Sequence, residues 1–353
     1  MAVTGGAKWE FPLERLGCTV GVNLRDLFPQ HPIPDGWYEG KTIAVDGHNV
    51  AFRYLTSFRG HDGSALRRRD HAGHTDDCKK CAGDGERVIA HLLGFTNLVR
   101  HLRERGAEPI IVWDGSVHPR KWATVEGRIQ RRLEAALDAE DAKDRGDHEA
   151  HRKFLRATTY LDAAMIDDAT RLLSPLGVAV VRADHDGERY AAGLCHAGHA
   201  QAVATEDYDA LVAGAPAVLR KAGSSEPFMH MLSDLDSHGL TREQLRWVAI
   251  LCGTDWNAGV DGFGAKTAAK ALKAYPDMRQ LVKEAEAGSE ATRWHILLRK
   301  AGLGIAAFDE LDRFIAEVPT PPKPQRPSNN PTEAVAVAEE LGIGKERVVA
   351  CYC

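Results

Sequence analysis

The sequence predicts an α/β fold with a parallel sheet, because short apolar segments alternate with longer amphipathic ones over its first 240 residues. Segment 178–184 is a short aliphatic run typical of a strand, whereas segment 159–177 has apolar residues at helical spacing and closes on Pro175 and Gly177. The chain of 353 residues is 44% hydrophobic, which allows a sizeable core in one large domain or two ordinary ones.

The predicted elements follow each other in chain order. Strands are predicted at 42–52, 109–115, 178–184 and 200–207, and helices at 84–106, 159–177 and 186–198. Residues 119–155 carry dense charge and few large apolar side chains, which predicts an exposed helical excursion. The pattern after residue 240 is mostly helical. Residues 319–331 contain six prolines and are expected to form an extended connection.

Composition excludes several classes of protein. The net charge of -5 argues against a uniformly basic nucleic-acid binder, although a local basic face remains compatible with it. No run of 18 apolar residues is present, and residues 1–20 lack the pattern of a secretion signal, so neither a membrane span nor secretion is expected. Seven scattered cysteines favour a reducing, intracellular setting, and we expect a cytoplasmic protein of prokaryotic type.

Acidic residues follow each predicted strand. The stretch VATEDYDALVAG (203–214) places several carboxylates beside an apolar strand, where they are costly unless a positive charge accompanies them. The carboxyl ends of parallel strands meet at one edge of a sheet, and hard divalent cations such as Mg²⁺ or Mn²⁺ take oxygen ligands. A single acid could instead be a helix N-cap or a solvated turn residue. The convergence of six favours a metal site: Asp46, Asp114, Asp186, Glu188, Asp207 and Asp209.

Six stretches in this order resemble the flap structure-specific endonucleases, the archaeal and eukaryotic branch of the 5′-nuclease superfamily. The resemblance extends over roughly 250 residues. It implies a PIN-like nuclease core with a helical arch, followed by a helix-two-turn-helix region. The stretches are VGVNLRDLFP (20–29), IAVDGHNVAFRYLTSFRGHDGSAL (43–66), PIIVWDGSVHPRKWATVEGRIQRR (109–132), ADHDGERYAAGL (183–194), ATEDYDALVAGAP (204–216) and LRWVAILCGTDWNAGVDGFGAKTAAKAL (245–272).

The same resemblance implies a division of the chain. Residues 1–20 precede the family's usual start, and the nuclease core is expected at 21–240. Within this core lie a loop insert at 67–84 and the arch at about 116–158. The helix-two-turn-helix region is expected at 241–318. A proline-rich connection and C-terminal helices follow at 319–353.

The implied activity is that of a structure-specific 5′ flap endonuclease and 5′→3′ exonuclease in DNA replication and repair. It would hydrolyse DNA phosphodiesters with two Mg²⁺ or Mn²⁺ ions. The first of the family's paired acids is usually Glu, and here it is Asp186, one methylene shorter. Asp46, Asp114 and Asp209 are also assigned as catalytic. Carried over by position, the metal-site acids are Asp46, Asp114, Asp186, Glu188, Asp207, Asp209 and Asp255.

The family also uses cations and glycines to hold DNA. Lys121 and Arg128 align with the arch residues that reach the scissile phosphate, so a catalytic role as electrostatic stabilisers is implied. A solvated basic helix face is the alternative. Phe52 aligns with a base-stacking Tyr, and the alternative is a core aromatic. The glycine-rich turn is expected to grip the duplex backbone and to hold a K⁺ ion. The further residues assigned to DNA binding are Arg120, Arg131, Arg132, Gly259, Gly262, Gly264, Lys266 and Lys270.

The insert is a feature that the resemblance does not explain. Four nitrogen and sulfur ligands in a short loop predict a structural Zn²⁺ site, and the alternative is a polar loop with an incidental cysteine pair. The four residues are His71, His74, Cys78 and Cys81.

Branched or flapped double-stranded DNA is the expected partner of a monomeric protein. No sliding-clamp motif is visible near the C-terminus. Alternative functions are a related nuclease for gaps or bubbles, a catalytically weak scaffold that binds DNA junctions, and a metal-dependent phosphatase. Glu206 has no counterpart in the family pattern and is interpreted as a surface or supporting acid.

Overall fold

A computed structural model of the protein describes residues 22–71, 75, 85–288 and 292–352. Its centre is a seven-stranded sheet in the order β1-β7-β6-β5-β2-β3-β4. The strands are β1 (His31–Pro32), β2 (Thr42–Asp46), β3 (Glu108–Trp113), β4 (Ala179–Arg182), β5 (Ala202–Ala204), β6 (Ala217–Arg220) and β7 (Phe228–Met231).

The five strands from β6 to β4 are parallel, as the alternation of strands and helices predicts. The other edge of the sheet is antiparallel, which the alternation of strands and helices does not predict. There β7 pairs antiparallel with β6, and the two-residue β1 pairs antiparallel with β7. The turn between β6 and β7 is too short for a crossover helix, so the chain reverses as a hairpin.

Fifteen helices lie in the described part of the chain. They are α1 (Gly47–Ser57), α2 (Ala90–Arg103), α3 (Trp122–Asp144), α4 (His148–Ala157), α5 (Ala163–Leu173), α6 (Gly187–His196), α7 (Asp209–Val212), α8 (Leu235–His238), α9 (Arg242–Cys252), α10 (Ala265–Ala274), α11 (Met278–Ala287), α12 (Arg293–Ala301), α13 (Ile305–Ala316), α14 (Pro331–Leu341) and α15 (Lys345–Val349).

The sheet separates two apolar cores because alternate strand residues point to opposite faces. Ala44 of β2 belongs to one core, whereas Ile43 and Val45 belong to the other. The predicted strand at 42–52 is too long. It ends at Asp46, whose side chain accepts a hydrogen bond from the Asn49 N–H and thereby caps α1.

The charged excursion predicted at 119–155 is helical. A short 3₁₀ turn (Pro119–Lys121) leads into α3, and α4 runs back beside it. The buried residues of α3 are all small: Ala135, Ala139 and Ala142. The pair is therefore held by little apolar area. It lies where the arch is expected, at about 116–158, and is called the arch below.

The helical C-terminal part returns to the sheet. Residues 317–330 form neither helix nor strand, as the prolines predict, and the Asn330 N–H donates to the Pro175 carbonyl at 2.8 Å. Helix α14 then packs on α5. Over the ranges that the structure describes, no helix is long and apolar enough to cross a membrane.

Candidate metal and nucleic-acid site

The predicted acids meet at the carboxyl edge of four adjacent strands. Asp46 ends β2, Asp114 follows β3, and the paired acids of α6 follow β4. Three of the carboxylates belong to Glu188, Asp207 and Asp209. Each of them has one oxygen that lies within 4.8 Å of an oxygen of the other two. The seventh acid, Asp255, comes from the turn after α9 and joins them through the arch cations.

Backbone N–H groups and two polar side chains orient these carboxylates. Asp186 accepts from the Arg189 N–H at 2.9 Å as the N-cap of α6. Asp114 accepts from the Gly187 N–H at 2.6 Å, an approach that a Cβ on residue 187 would obstruct. Asp209 accepts from the Val22 N–H at 3.3 Å. Each contact engages one carboxylate oxygen, and the second oxygen of Asp186 pairs with Lys121.

Thr205 and His48 were missed by the sequence analysis. The buried Thr205 hydroxyl lies 2.6 Å from Glu188 Oε1 and 3.3 Å from Asp46 Oδ2, so it joins two acids. His48 Nδ1 accepts from the Asp114 N–H at 3.0 Å, and burial lowers the pKa of this imidazole. Thr205 falls in the predicted strand at 200–207 and His48 in the predicted strand at 42–52, where both are ordinary structural residues, so neither carries a recognisable signal.

Burial and mutual repulsion make the acids hard to ionise together. Burial, followed by the charge of Asp114, raises the pKa of Asp46 well above its usual range. Burial, and after it the negative charge of Asp207, raises the pKa values of Glu188 and Asp209 in the same way. The pKa of Asp207 itself rises to about 6, chiefly by burial. A cation in this pocket would favour the ionised form of the acids and so offset their mutual repulsion.

Part of that charge comes from the arch. The Lys121 ammonium forms an ion pair with Asp186 and lies 3.5 Å from Asp255 Oδ2. Arg128 contacts both oxygens of Asp255, at 2.9 and 3.0 Å. Burial is the largest single influence and would raise the pKa of Asp186. The charge and hydrogen bond of Lys121, together with the Arg189 N–H and guanidinium, outweigh it and hold that pKa below its usual value. The structure thus places both predicted arch cations among the acids.

The other predicted arch arginines lie farther along α3 or on its 3₁₀ turn. Arg120 is paired with Glu310 of α13, and Arg132 Nε donates to the Arg128 carbonyl at 3.3 Å. Arg131 is half-buried in the next turn of the helix. Assignment of all three to DNA remains a prediction.

Phe52 is exposed and the glycine-rich turn has the expected backbone. The Phe52 ring on α1 is 44% exposed, which removes the alternative of a core aromatic.

Gly259 and Gly262 have φ of +74° and +87°, which residues other than glycine rarely adopt. A Cβ on residue 259 would meet the Gly253 nitrogen at 2.5 Å.

The helix that follows this turn carries the two predicted lysines. Gly264 is the N-cap of α10 and offers no side chain to its first turn. Lys270 is exposed, and Lys266 forms an ion pair of 3.0 Å with Asp26 near the beginning of the described chain. This pair ties the α10 region to the segment that reaches Asp209.

Glu206 forms hydrogen bonds that link two elements of the fold. Its carboxylate accepts from Arg53 Nη1 at 2.6 Å and from the Lys221 N–H at 2.8 Å. Lys221 has φ of +50°, and among the described residues it is the only one other than glycine with a positive φ. Glu206 therefore joins α1 to the turn after β6.

Only one of the four predicted zinc ligands lies among the described residues. His71 is described, and its N–H donates to the Arg69 carbonyl at 2.8 Å. The other three, His74, Cys78 and Cys81, lie outside the described residues.

Comparisons with known proteins agree with this geometry. The family model of the XPG I-region matches residues 177–255, which include five of the seven acids. Flap endonuclease 1 of Staphylothermus marinus is 33% identical over 284 residues, covering 75% of this chain and 77% of the relative. Flap endonuclease 1 of Archaeoglobus fulgidus is 33% identical over 279 residues, covering 75% and 78%.

Solved structures show the same fold. Flap endonuclease-1 from Methanococcus jannaschii superposes with a TM-score of 0.66 at 26% identity, covering 94% of this chain and 98% of that one. The catalytic core of Rad2 in complex with DNA substrate has a TM-score of 0.63 at 18% identity, covering 92% and 95%. Relatives of this identity and coverage establish the family: the chain belongs to the flap endonucleases, metal-dependent nucleases that hydrolyse DNA phosphodiesters.

Proposed function

We propose that this chain is a structure-specific 5′ flap endonuclease and 5′→3′ exonuclease acting on branched DNA in replication and repair. Three of the seven acids, Glu188, Asp207 and Asp209, have the spacing of metal ligands. The other four interact electrostatically with them or with each other, and two arch cations pair with the same set, which supports the proposal. A nuclease needs such acids to hold metal ions, and it needs the cations to offset the charge of the phosphate.

The acids fit two divalent ions, Mg²⁺ or Mn²⁺. Every donor is a carboxylate oxygen, which suits hard cations. Glu188, Asp207 and Asp209 have the mutual spacing to share one ion, and the remaining acids would complete the sites: Asp46, Asp114, Asp186 and Asp255. When bound, the ions would lower the pKa of a coordinated water and stabilise the oxygens that attack and leave.

The side chains of the protein have separate tasks in this reaction. Asp186 is one methylene shorter than a Glu, and the N–H of Arg189 fixes the direction of its carboxylate. Metal charge beside the acids would weaken the ion pairs of Lys121 with Asp186 and of Arg128 with Asp255. Their Nζ and guanidinium groups are then available to the scissile phosphate, whose growing negative charge they stabilise in the transition state.

Other surfaces would position the DNA. The exposed Phe52 ring would stack on a base beside the cut. The turn of Gly259, Gly262 and Gly264 and the start of α10 would receive duplex phosphates and a K⁺ ion, with Lys266 and Lys270 adding charge. These contacts position the duplex and read no sequence. The arch arginines Arg120, Arg131 and Arg132 belong to the same proposal.

The proposed division of the chain follows the same scheme. The extension is 1–20 and the nuclease core is 21–240, with the insert 67–84 and the arch at about 116–158. The helix-two-turn-helix region is 241–318, and the connection with the last helices is 319–353. In the insert, a Zn²⁺ ion bound by His71, His74, Cys78 and Cys81 remains part of the proposal and is tested by metal analysis of Cys78→Ser.

Cleavage of a labelled double-flap DNA tests the function. We expect a metal-dependent cut near the base of the 5′ flap, faster than on a blunt duplex and abolished by EDTA. Asp209→Ala should lose it, and Asp35→Asn, a change at an exposed acid of a loop, should keep it. Tight binding by the wild type without a cut in either metal would instead support a junction-binding scaffold. Cleavage of a chromogenic phosphate ester in place of DNA would indicate a phosphatase.

A further inference from the structure

Three aromatic side chains from distant parts of the chain meet beside the acids. They are His118 before α3, Trp256 after Asp255, and Phe314 of α13, and together they are called the aromatic cluster. Their ring centroids lie 5.5 Å (His118 to Trp256), 5.0 Å (His118 to Phe314) and 4.8 Å (Trp256 to Phe314) apart. These separations are those of favourable aromatic pairs, so each ring fixes the other two.

The cluster forms one wall around the Lys121 ammonium. Lys121 Nζ lies 4.3 Å from the centroid of the Trp256 ring, a distance at which a cation is attracted to an aromatic face. The other walls are Asp186, with which Lys121 forms an ion pair, and Asp255, at 3.5 Å. The two acids attract the ammonium, and the indole covers the side that they leave open.

His118 acts on the same lysine through the backbone. It is the N-cap of the 3₁₀ turn that carries Lys121, and its Nδ1 accepts from the Arg120 N–H at 3.2 Å. Its carbonyl accepts from the Lys121 N–H at 2.8 Å. The aromatic cluster therefore holds both ends of Lys121, the backbone through His118 and the ammonium through Trp256.

Two arginines fasten the cluster to the body of the protein. The Arg189 guanidinium lies 4.6 Å from the centroid of Phe314 and donates to the Phe314 carbonyl at 2.7 Å. Arg189 belongs to α6, the helix of the paired acids. Arg120 covers Phe314 at 5.4 Å and is paired with Glu310. The base of the arch is thus tied to the acids and to α13 at the same point.

We propose that Trp256 is a positioning residue for Lys121, holding its ammonium at the acids where the scissile phosphate must arrive. The inference rests on the proposed function, in which Lys121 stabilises the transition state. A lysine side chain has four rotatable bonds and loses much conformational freedom when it is held in one place. Without the indole wall, the ammonium spends less time near the phosphate, and the rate of the chemical step falls.

A double-mutant cycle between residues 256 and 121 tests this. Single-turnover cleavage and binding of flap DNA are measured for the wild type, Trp256→Phe, Trp256→Leu, Lys121→Met and the double variant Trp256→Leu/Lys121→Met. We expect Trp256→Leu to reduce the single-turnover rate about tenfold and to change the Kd for flap DNA less than about twofold. Trp256→Phe keeps an aromatic face and should stay within about threefold of the wild type.

The double variant separates positioning from a general structural role. In the Lys121→Met background, Trp256→Leu should reduce the rate less than about twofold, because the group that it positions is gone. An equal loss in both backgrounds, or a Phe variant as slow as the Leu variant, would overturn the proposal. So would a Lys121→Met protein with the wild-type rate.

Two controls keep the outcomes distinct. Melting temperatures show whether each variant is folded. Trp256→Met, whose unbranched side chain adapts more readily to the space left by the indole, replaces the Leu variant if that protein does not fold. A wild type that binds flap DNA without cutting it would contradict the proposed function itself, whereas a cutting wild type with an additive cycle would contradict only the role of Trp256.

Discussion

Replacing Asp207 by Asn should stabilise the metal-free protein. The pKa of Asp207 is raised from 3.8 to about 6, chiefly by burial. One pKa unit corresponds to about 1.4 kcal/mol, so a shift of about 2 units costs the ionised folded state about 3 kcal/mol at pH 8. Solvent reaches part of this side chain, and screening reduces the expected gain to about 1.5 to 3 kcal/mol.

The stability that Asp207→Asn gains should decrease as the pH is lowered. A carboxylate whose folded-state pKa is raised binds its proton more tightly in the folded state. The stability that it contributes is full below pH 4 and is lost as the pH rises through about 6. The advantage of Asn over Asp207 should therefore shrink to at most about 1 kcal/mol at pH 4.5.

Urea unfolding in EDTA at pH 8 and pH 4.5 measures this difference. Asn keeps an oxygen that can accept from the Tyr208 N–H, which Asp207 does now at 2.7 Å, so the local hydrogen bond is preserved. Asp35→Asn, at an exposed acid, is the matched control and should change stability little at either pH. A less stable Asp207→Asn protein at pH 8 would refute the reasoning that burial of the ionised Asp207 carboxylate destabilises the fold.

Three further variants test other parts of the site. Arg128→Ala should reduce the single-turnover rate of flap cleavage about a hundredfold while flap affinity changes only a few-fold; a larger effect on affinity would make Arg128 a binding residue. Thr205→Val removes the hydroxyl between Glu188 and Asp46 and should weaken Mn²⁺ binding about tenfold in a titration, and unchanged binding would contradict this. Phe52→Leu should weaken flap binding about fivefold, by anisotropy, and Phe52→Tyr should not.

The main outline of the site could be predicted because parallel strands deliver their following residues to one edge. Each strand of β2, β3, β4 and β5 is a short apolar run followed by an acid, so sequence position alone predicts the convergence. The alternative of a helix N-cap also holds for two of them. Asp46 caps α1 and Asp186 caps α6, each with one oxygen. The capping bond orients the carboxylate and leaves its other oxygen toward the site.

Residues that act through long-range contacts could not be predicted. Trp256 and Phe314 are 58 positions apart and read as ordinary core aromatics until α13 brings them together. Thr205 is recognisable only once its hydroxyl is seen between two acids. Strands β1, β6 and β7 were not predicted from the sequence. Of these, β1 has two residues and includes a proline, which leaves no alternating pattern to detect.

Binding of Mn²⁺ tests most directly whether the acids form a metal site. Free Mn²⁺ is followed by its paramagnetic resonance signal while it is titrated into the wild type and into Asp209→Asn at pH 7.5. We expect two bound ions in the wild type and loss of at least one in the variant, since Asp209 has the spacing to share an ion with Glu188 and Asp207. A wild type that binds no Mn²⁺ at millimolar concentration would contradict it.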